Sequence, residues 1–309
     1  MSALRARAEE YLAMRRALGF KLETQGPRLM SFVGFCEERG ASRVTTDLAV
    51  EWATRTASGS EAYQARRLDV VRIFARHLQA LDPSAEVPPG DVLSRRQWRI
   101  PPYLYSAQEV TALMDAAGSL TPAIRAATWR TLVGLLAVTG MRKAEACRLG
   151  RGDVDLETGT LLIRDSKFGK SRLVFLHATA VDALRAYARA RDEAIPEPQA
   201  DTFLVNSRGR PLDVHNIPRT FTALAAEAGI QAPPGRRAAR LHDLRHSFTV
   251  ATMLDWYRDG GDVQARLPVL STWLGHVDPK STYWYLHAVP ELLALAAGRL
   301  EQAAKDATR

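Results

Sequence analysis

The sequence predicts a mainly α-helical protein of two domains, with a small antiparallel β-sheet confined to the second. Three observations carry that expectation. Apolar residues recur at helical spacing through residues 1–80, and no alternating strand pattern interrupts them. A proline-rich stretch over residues 83–104 then changes the composition. Beyond it helical patterns resume, broken only by two short β-rich runs, TLLIRDS and SRLVFL, on either side of KFGK. A length of 309 residues suits two domains of roughly 150 residues each. The expected boundaries are 1–82 for a helical domain, 83–104 for a linker and 105–309 for the second domain.

In the first domain, Leu4, Ala8, Tyr11, Leu12 and Leu18 fall near one helical face, and Gly19 can end that helix. A second helix is expected from about Gln25 to Glu38, with Leu29, Phe32, Val33 and Cys36 on one side and Gly40 as its stop. Thr46 is a candidate N-cap for a third helix and Ser60 opens a long fourth. A compact bundle of four or five helices follows. In the linker, Pro83, Pro88, Pro89, Pro101 and Pro102 oppose helix, because proline lacks an N–H and biases its predecessor toward extended backbone. Arg95, Arg96 and Arg99 beside Trp98 make it basic, either as a solvated tether or as a strap along a polyanion. In the second domain Ser106 caps AQEVTALMDAAG, and Pro122 suits the first turn of a longer apolar helix. A short helix, RKAEACRL, precedes the β-rich runs, and four further helical patterns and a C-terminal helix follow them.

Composition narrows the function classes. The chain is 46% hydrophobic and 25% charged, close to the soluble globular average. No apolar run approaches the ~18–20 residues of a membrane span, and the opening MSALRARAEEYLAM lacks the apolar core of a signal peptide. Two cysteines, Cys36 and Cys147, are too few for a disulfide framework or a cysteine zinc cluster, and a cytoplasmic setting is expected. The surplus of 42 basic over 34 acidic residues, a net charge of +8, favours polyanionic partners.

Four segments carry residues suited to chemistry. Arg142 and Glu145 lie three apart and share a helical face, as a surface ion pair or as a phosphate-binding fork steadied by a carboxylate. His242, Arg245 and His246 fall at i, i+3 and i+4, so they can converge on an anionic reacting group. The i, i+4 histidines also have zinc-ligand spacing, but no glutamate lies between them and Arg245 would repel a cation, so no metal is expected. His246 is the better candidate for a satisfied, packed histidine. In WLGHVDPKSTYWYLH, Gly275 and His276 end one helix, and Thr282, Tyr283, Tyr285 and His287 follow. A tyrosine can act as a covalent nucleophile where cations stabilise its phenolate. Lys167 and Lys170 sit in the turn between the β-rich runs, with Arg172 just beyond, as solvated decoration or as a basic finger reaching a groove.

Taken together, Arg142 with Glu145, Lys167 on a hairpin, His242-x-x-Arg245, Leu274-Gly275-His276 and Tyr285 nine residues later resemble the tyrosine recombinase, or phage integrase, family. The resemblance spans roughly residues 105–300 and is strongest to recombinases carried by bacterial transposons and integrative elements. It implies a C-shaped clamp on duplex DNA, built from a core-binding helical domain and a catalytic domain. It also implies roles. Tyr285 attacks the phosphorus and forms a 3′-phosphotyrosyl bond. Arg142 and Arg245 clamp the non-bridging oxygens, and Lys167, with Lys170 as its rival, protonates the leaving 5′-oxygen. His242 assists Tyr285 as base or hydrogen-bond partner, and His276 donates to the phosphate. Glu145, His246 and His287 support these groups without touching DNA, while Arg95, Arg96, Arg99, Lys170 and Arg172 contact it. No metal or nucleotide cofactor is implied. The partners implied are double-stranded DNA, a tetrameric synapse of copies of this chain docked through the C-terminal helix, and sister recombinases or accessory DNA-bending proteins near the nucleoid. The same residues would also serve a type IB topoisomerase, which relaxes DNA without exchanging partners.

Overall fold

A computed structural model of the chain describes residues 2–56, 59–83, 85–93, 101–164, 171–276, 282–283, 285 and 290–307. The chain divides into two compact units, Met1–Arg99 and Ile100–Arg309.

The first unit contains four helices among its described residues: α1 (Ala3–Ala17), α2 (Gln25–Glu38), α3 (Thr46–Thr54) and α4 (Glu61–Leu81). Three of them, α1, α3 and α4, start at a short polar side chain that caps them. The Ser2 hydroxyl accepts from the Arg5 amide, that of Thr45 from Leu48 and that of Ser60 from Tyr63. The third cap is therefore Thr45, one residue before the expected Thr46; both threonines can cap, and the chain turns helical at 46. Leu29, Phe32, Val33, Trp52, Leu68, Val71 and Phe74 form the core, with Phe32 and Phe74 fully buried. The proline-rich stretch begins by folding back on this unit. Arg72 on α4 is buried and donates to the Pro88 carbonyl at 2.7 Å and the Pro89 carbonyl at 2.6 Å, while Val87 and Leu93 pack against the core.

The second unit is built around α6 (Ala123–Thr139), which packs against α5 (Ala107–Gly118), α8 (Ala178–Ala194) and α10 (Asp243–Arg258). Leu132, Val133 and Leu136 of α6 are fully or almost fully buried. Ser106 and Glu109 form a reciprocal capping box at the start of α5. The short α7 (Lys143–Arg148) leads to an antiparallel sheet of β1 (Val154–Asp155), β2 (Thr160–Ile163) and β3 (Arg172–Phe175), in the order β1-β2-β3. Leu161 pairs with Val174, and Ile163 with Arg172. The alternation buries Leu161, Ile163 and Val174, which fixes the register. β1 is too short to show a pattern in sequence. Helices α9 (Ile217–Glu227), α11 (Val263–Leu274) and α12 (Pro290–Ala307) complete the unit. Val250, Met253, Leu267, Leu270, Leu274, Tyr285 and Leu292 form a smaller apolar cluster that joins α10, α11 and α12. The first turn of α12 thus packs on its own unit, and Glu291 pairs with Arg258. Among the described residues, no helix is long and apolar enough to cross a membrane.

Candidate active site

Two helix ends meet at the site. Helices α6 and α11 both finish in a left-handed glycine, Gly140 at φ 62° and Gly275 at φ 66°. Such a turn leaves the last carbonyls pointing off the helix, at the negative end of its dipole. Here those carbonyls hold arginines. Arg245 donates to the Gly140 and Leu274 carbonyls, both at 2.8 Å. Arg142 donates to the Gly275 carbonyl at 2.9 Å. The Trp273 indole donates to the Thr139 carbonyl at 2.9 Å and locks the two helix ends together. A side chain at Gly140 would place its Cβ 2.4 Å from Phe248 Cδ1, so the close approach also demands glycine.

Glu145, with a side chain only 2% exposed, lies between two arginines. It accepts from Arg142 Nη1 at 2.7 Å and the Arg142 amide at 2.9 Å, and from Arg172 at 2.8 and 3.2 Å. Burial alone would raise its pKa, but these hydrogen bonds and the Arg172 charge hold it down to about 2. Arg245 is 3% exposed. Burial and the neighbouring Arg142 lower its pKa to about 10, so it stays charged at neutral pH.

Tyr285 is 3% exposed, and its hydroxyl shares a 2.6 Å hydrogen bond with His246 Nδ1. Burial raises its pKa; the Arg245 charge, a hydrogen bond with Thr249 and the Arg142 charge pull the other way. His246, His242 and His276 are all pushed down to about 4, chiefly by desolvation. For His246 the proximity of His242 adds to this, and for His242 and His276 the Arg245 charge does. His242 keeps solvent access at the N-terminal end of α10 even so. His276 Nδ1 is 2.8 Å from the Thr282 hydroxyl. At pH 7 the site therefore presents a buried, charged Arg245 with the half-buried Arg142 nearby, neutral imidazoles and a protonated phenol. An anion entering it would meet positive charge on main-chain supports and a phenol hydroxyl beside a neutral imidazole.

Comparison with known proteins places this arrangement. The model of the phage integrase family matches residues 104–291. The chain belongs to that family. An integrase/recombinase of Sinorhizobium fredii, y4rB, is 40% identical over 314 residues, covering the whole of both chains. The tyrosine recombinase XerC of Mycobacterium bovis is 32% identical over 310 residues, 96% of this chain and 97% of its own. Among solved structures, the Tn1549 transposon integrase bound to transposon right-end DNA superposes with a TM-score of 0.70 at 15% identity, covering 96% of this chain and 99% of that one. A lambda integrase tetramer bound to a Holliday junction gives 0.64 at 18% identity, covering 92% and 76%. This phage integrase family member is thus a tyrosine recombinase, an enzyme of DNA strand exchange.

Within this recombinase, the residues singled out from sequence divide into three groups. Arg142, Glu145, His242, Arg245, His246, His276 and Tyr285 come together in one site. Lys167, Lys170, His287, Arg95, Arg96 and Arg99 lie outside the described residues. Arg172 is in the wrong place for its expected role. Expected to contact DNA, it is 8% exposed, its Nε donates to the Trp273 carbonyl at 2.7 Å and its fork engages Glu145. The reason is register: pairing with Ile163 starts β3 at Arg172 and brings its side chain against α7 and α11. The histidines are arranged differently from the expectation that His246 only packs: the Tyr285 hydroxyl lies 2.6 Å from His246 Nδ1. His242 stands at the helix start, whereas His246, one turn along the same face, faces the phenol; the two rings lie edge to face, 5.0 Å apart. The rival nucleophile Tyr283 is 37% exposed, and its hydroxyl lies 3.4 Å from Gln264. Sequence reading passed over Thr249 and the carbonyls of Gly140, Leu274 and Gly275. Thr249, four residues after Arg245, was within reach of helical periodicity.

Proposed function

We propose that this recombinase is a site-specific enzyme that cuts and rejoins duplex DNA through a 3′-phosphotyrosyl intermediate, in the movement of a mobile element. The observation that carries this reading is the buried Tyr285 hydroxyl, 2.6 Å from a neutral imidazole and beside Arg245. The Tyr285 oxygen attacks the scissile phosphorus while its proton passes to His246. The bond from phosphorus to the 5′-oxygen breaks, and Lys167 supplies the proton that completes the 5′-hydroxyl. Arg142 and Arg245 bind the non-bridging oxygens as charge grows on them. His242 and His276 donate to the same oxygens. One phosphodiester is exchanged for another, so rejoining needs no nucleotide. The mobile-element role draws on the likeness to y4rB and to the Tn1549 transposon integrase. Four protomers acting on two duplexes, with the part of α12 beyond Leu292 docking on a neighbour, complete the reading.

A nicked suicide duplex carrying the ends of the chain's own element tests it. The expected product is a covalent protein–DNA adduct, formed in EDTA and absent from Tyr285→Phe. An adduct that persists in Tyr285→Phe removes the nucleophile assignment. Cleavage abolished by EDTA would point to a metal-dependent nuclease instead. Relaxation of a single supercoiled circle without any requirement for paired sites would point to topoisomerase-like action.

A further inference from the structure

The geometry points to Arg172 as a positioning residue for the phosphate clamp: it engages Glu145 so that Arg142 keeps its charge for DNA. The inference rests on the reading that Arg142 binds the scissile phosphate. A buried carboxylate beside a single arginine neutralises that arginine and competes with the phosphate for its fork. Glu145 is such a carboxylate, yet Arg142 is not its only guanidinium. Arg172 Nη1 and Nη2 reach Oε1 and Oε2 at 3.2 and 2.8 Å. Arg142 contributes one side-chain bond, from Nη1 to Oε1, and its other bound nitrogen, Nη2, goes to the Gly275 carbonyl. Of the charges on Arg142, Arg172, Arg245 and Glu145, the carboxylate cancels one guanidinium. With Arg172 taking both carboxylate oxygens, the cluster of three guanidiniums keeps a net positive charge that Arg142 shares.

Arg172 also bears on the turn that holds Arg142. A Cβ added at Gly275 would lie 2.9 Å from Arg172 Nη1 and 3.5 Å from Arg142 Nη1. Arg172 Nε meanwhile binds the Trp273 carbonyl, two residues before that glycine. The strand, the carboxylate and the helix end are therefore tied through one side chain. A purely structural ion pair would need only the contact to Glu145. The bidentate engagement together with the support of the Gly275 turn places Arg172 behind Arg142 on both of its anchors.

The test compares Arg172→Met, Glu145→Gln and the double variant in single-turnover adduct formation at saturating suicide duplex. The scissile linkage is either a phosphodiester or a methylphosphonate, which lacks the negative charge. Arg172→Met is expected to slow cleavage of the phosphodiester on the order of 10- to 100-fold, the usual cost of losing a group that orients a charged ligand, with duplex affinity near wild type. On the methylphosphonate the loss shrinks, because a neutral phosphoryl group draws less on Arg142. In the Glu145→Gln background the same substitution costs little, because the charge that Arg172 balances is gone. Equal losses on both linkages, additive effects in the double variant, or weaker binding with normal cleavage at saturation would each overturn the proposal. Should Arg172→Met fail to fold with an unbalanced carboxylate, the comparison of the double variant with Glu145→Gln alone still decides. A wild-type adduct that survives Tyr285→Phe overturns the functional reading and this inference together; a Tyr285-dependent adduct with equal losses on both linkages overturns only the inference.

Discussion

The paired arginines of the first unit and the site arginines of the second are held in opposite ways. In the first, Arg5 is paired with Glu37, Arg39 with Glu51 and Arg72 with Asp69, each guanidinium beside its own carboxylate. In the site of the second, Arg142 and Arg245 are fixed by carbonyls at the ends of α6 and α11, and the buried Glu145 carboxylate beside Arg142 is shared with Arg172. Both arrangements fix a long side chain. The first leaves it electrically neutralised; the second fixes it in place with its charge intact. The field an incoming anion meets is set by what holds an arginine, not by how many arginines the chain has.

Replacing Arg245 by alanine should break this contrast most sharply. Cleavage of the suicide duplex is expected to fall roughly 10²–10³-fold or more, with DNA binding retained, as when a donor to developing charge is removed elsewhere. If cleavage at saturating DNA stayed normal, the carbonyl-held charge would not be the catalytic one. Gly140→Ala comes next. Its positive φ and the 2.4 Å approach to Phe248 force a shift, with a loss of about 1–3 kcal/mol in urea unfolding. The Gly140 carbonyl should move with it and slow adduct formation. Unfolding without any change in rate would detach Arg245 from its anchor. Acid should separate the units. His242, His246 and His276 have folded pKa values near 4, below the ordinary 6.5, so the unfolded chain binds protons first. The second unit therefore weakens as pH falls from about 6.5 toward 4. Glu37, held near 2 by the Arg5 hydrogen bond, weakens the first unit only as pH falls below about 4.5. Peptide-resolved hydrogen exchange across that range would show protection lost from the second unit first; the reverse order would contradict the assignment. The smallest effect belongs to Arg5→Ala, expected to shift the unfolding midpoint slightly and to leave cleavage at the wild-type rate.

Much of this was legible in the sequence. Helix starts at Ser60 and Ser106, stops at Gly19 and Gly275, and the paired strands all follow from local chemistry that a few residues encode. Arg142, His242, Arg245, His276 and Tyr285 were gathered by the family resemblance that their order and spacing carry. What escaped were tertiary facts. Arg172 reads as one more hairpin cation until pairing with Ile163 carries it against Glu145, 27 positions away. His246 and His242 share a helical face, and only the placement of Tyr285 from elsewhere in the chain separates their tasks. The anchoring carbonyls bear no side-chain signature at all, so no residue type announces them.

The bond from Trp273 to Thr139 spans 134 positions, and that separation bears on how the protein is made. A ribosome delivers Arg142 well before residues 273–285, so a growing chain carries the first arm of the clamp for almost half its length with nothing to close on. Until α11 emerges and docks against α6, Arg245 lacks its Leu274 carbonyl and the phenol does not yet exist. On the function proposed above, cutting competence arrives last and all together, so chains that stop short of Tyr285 leave no broken strands behind them.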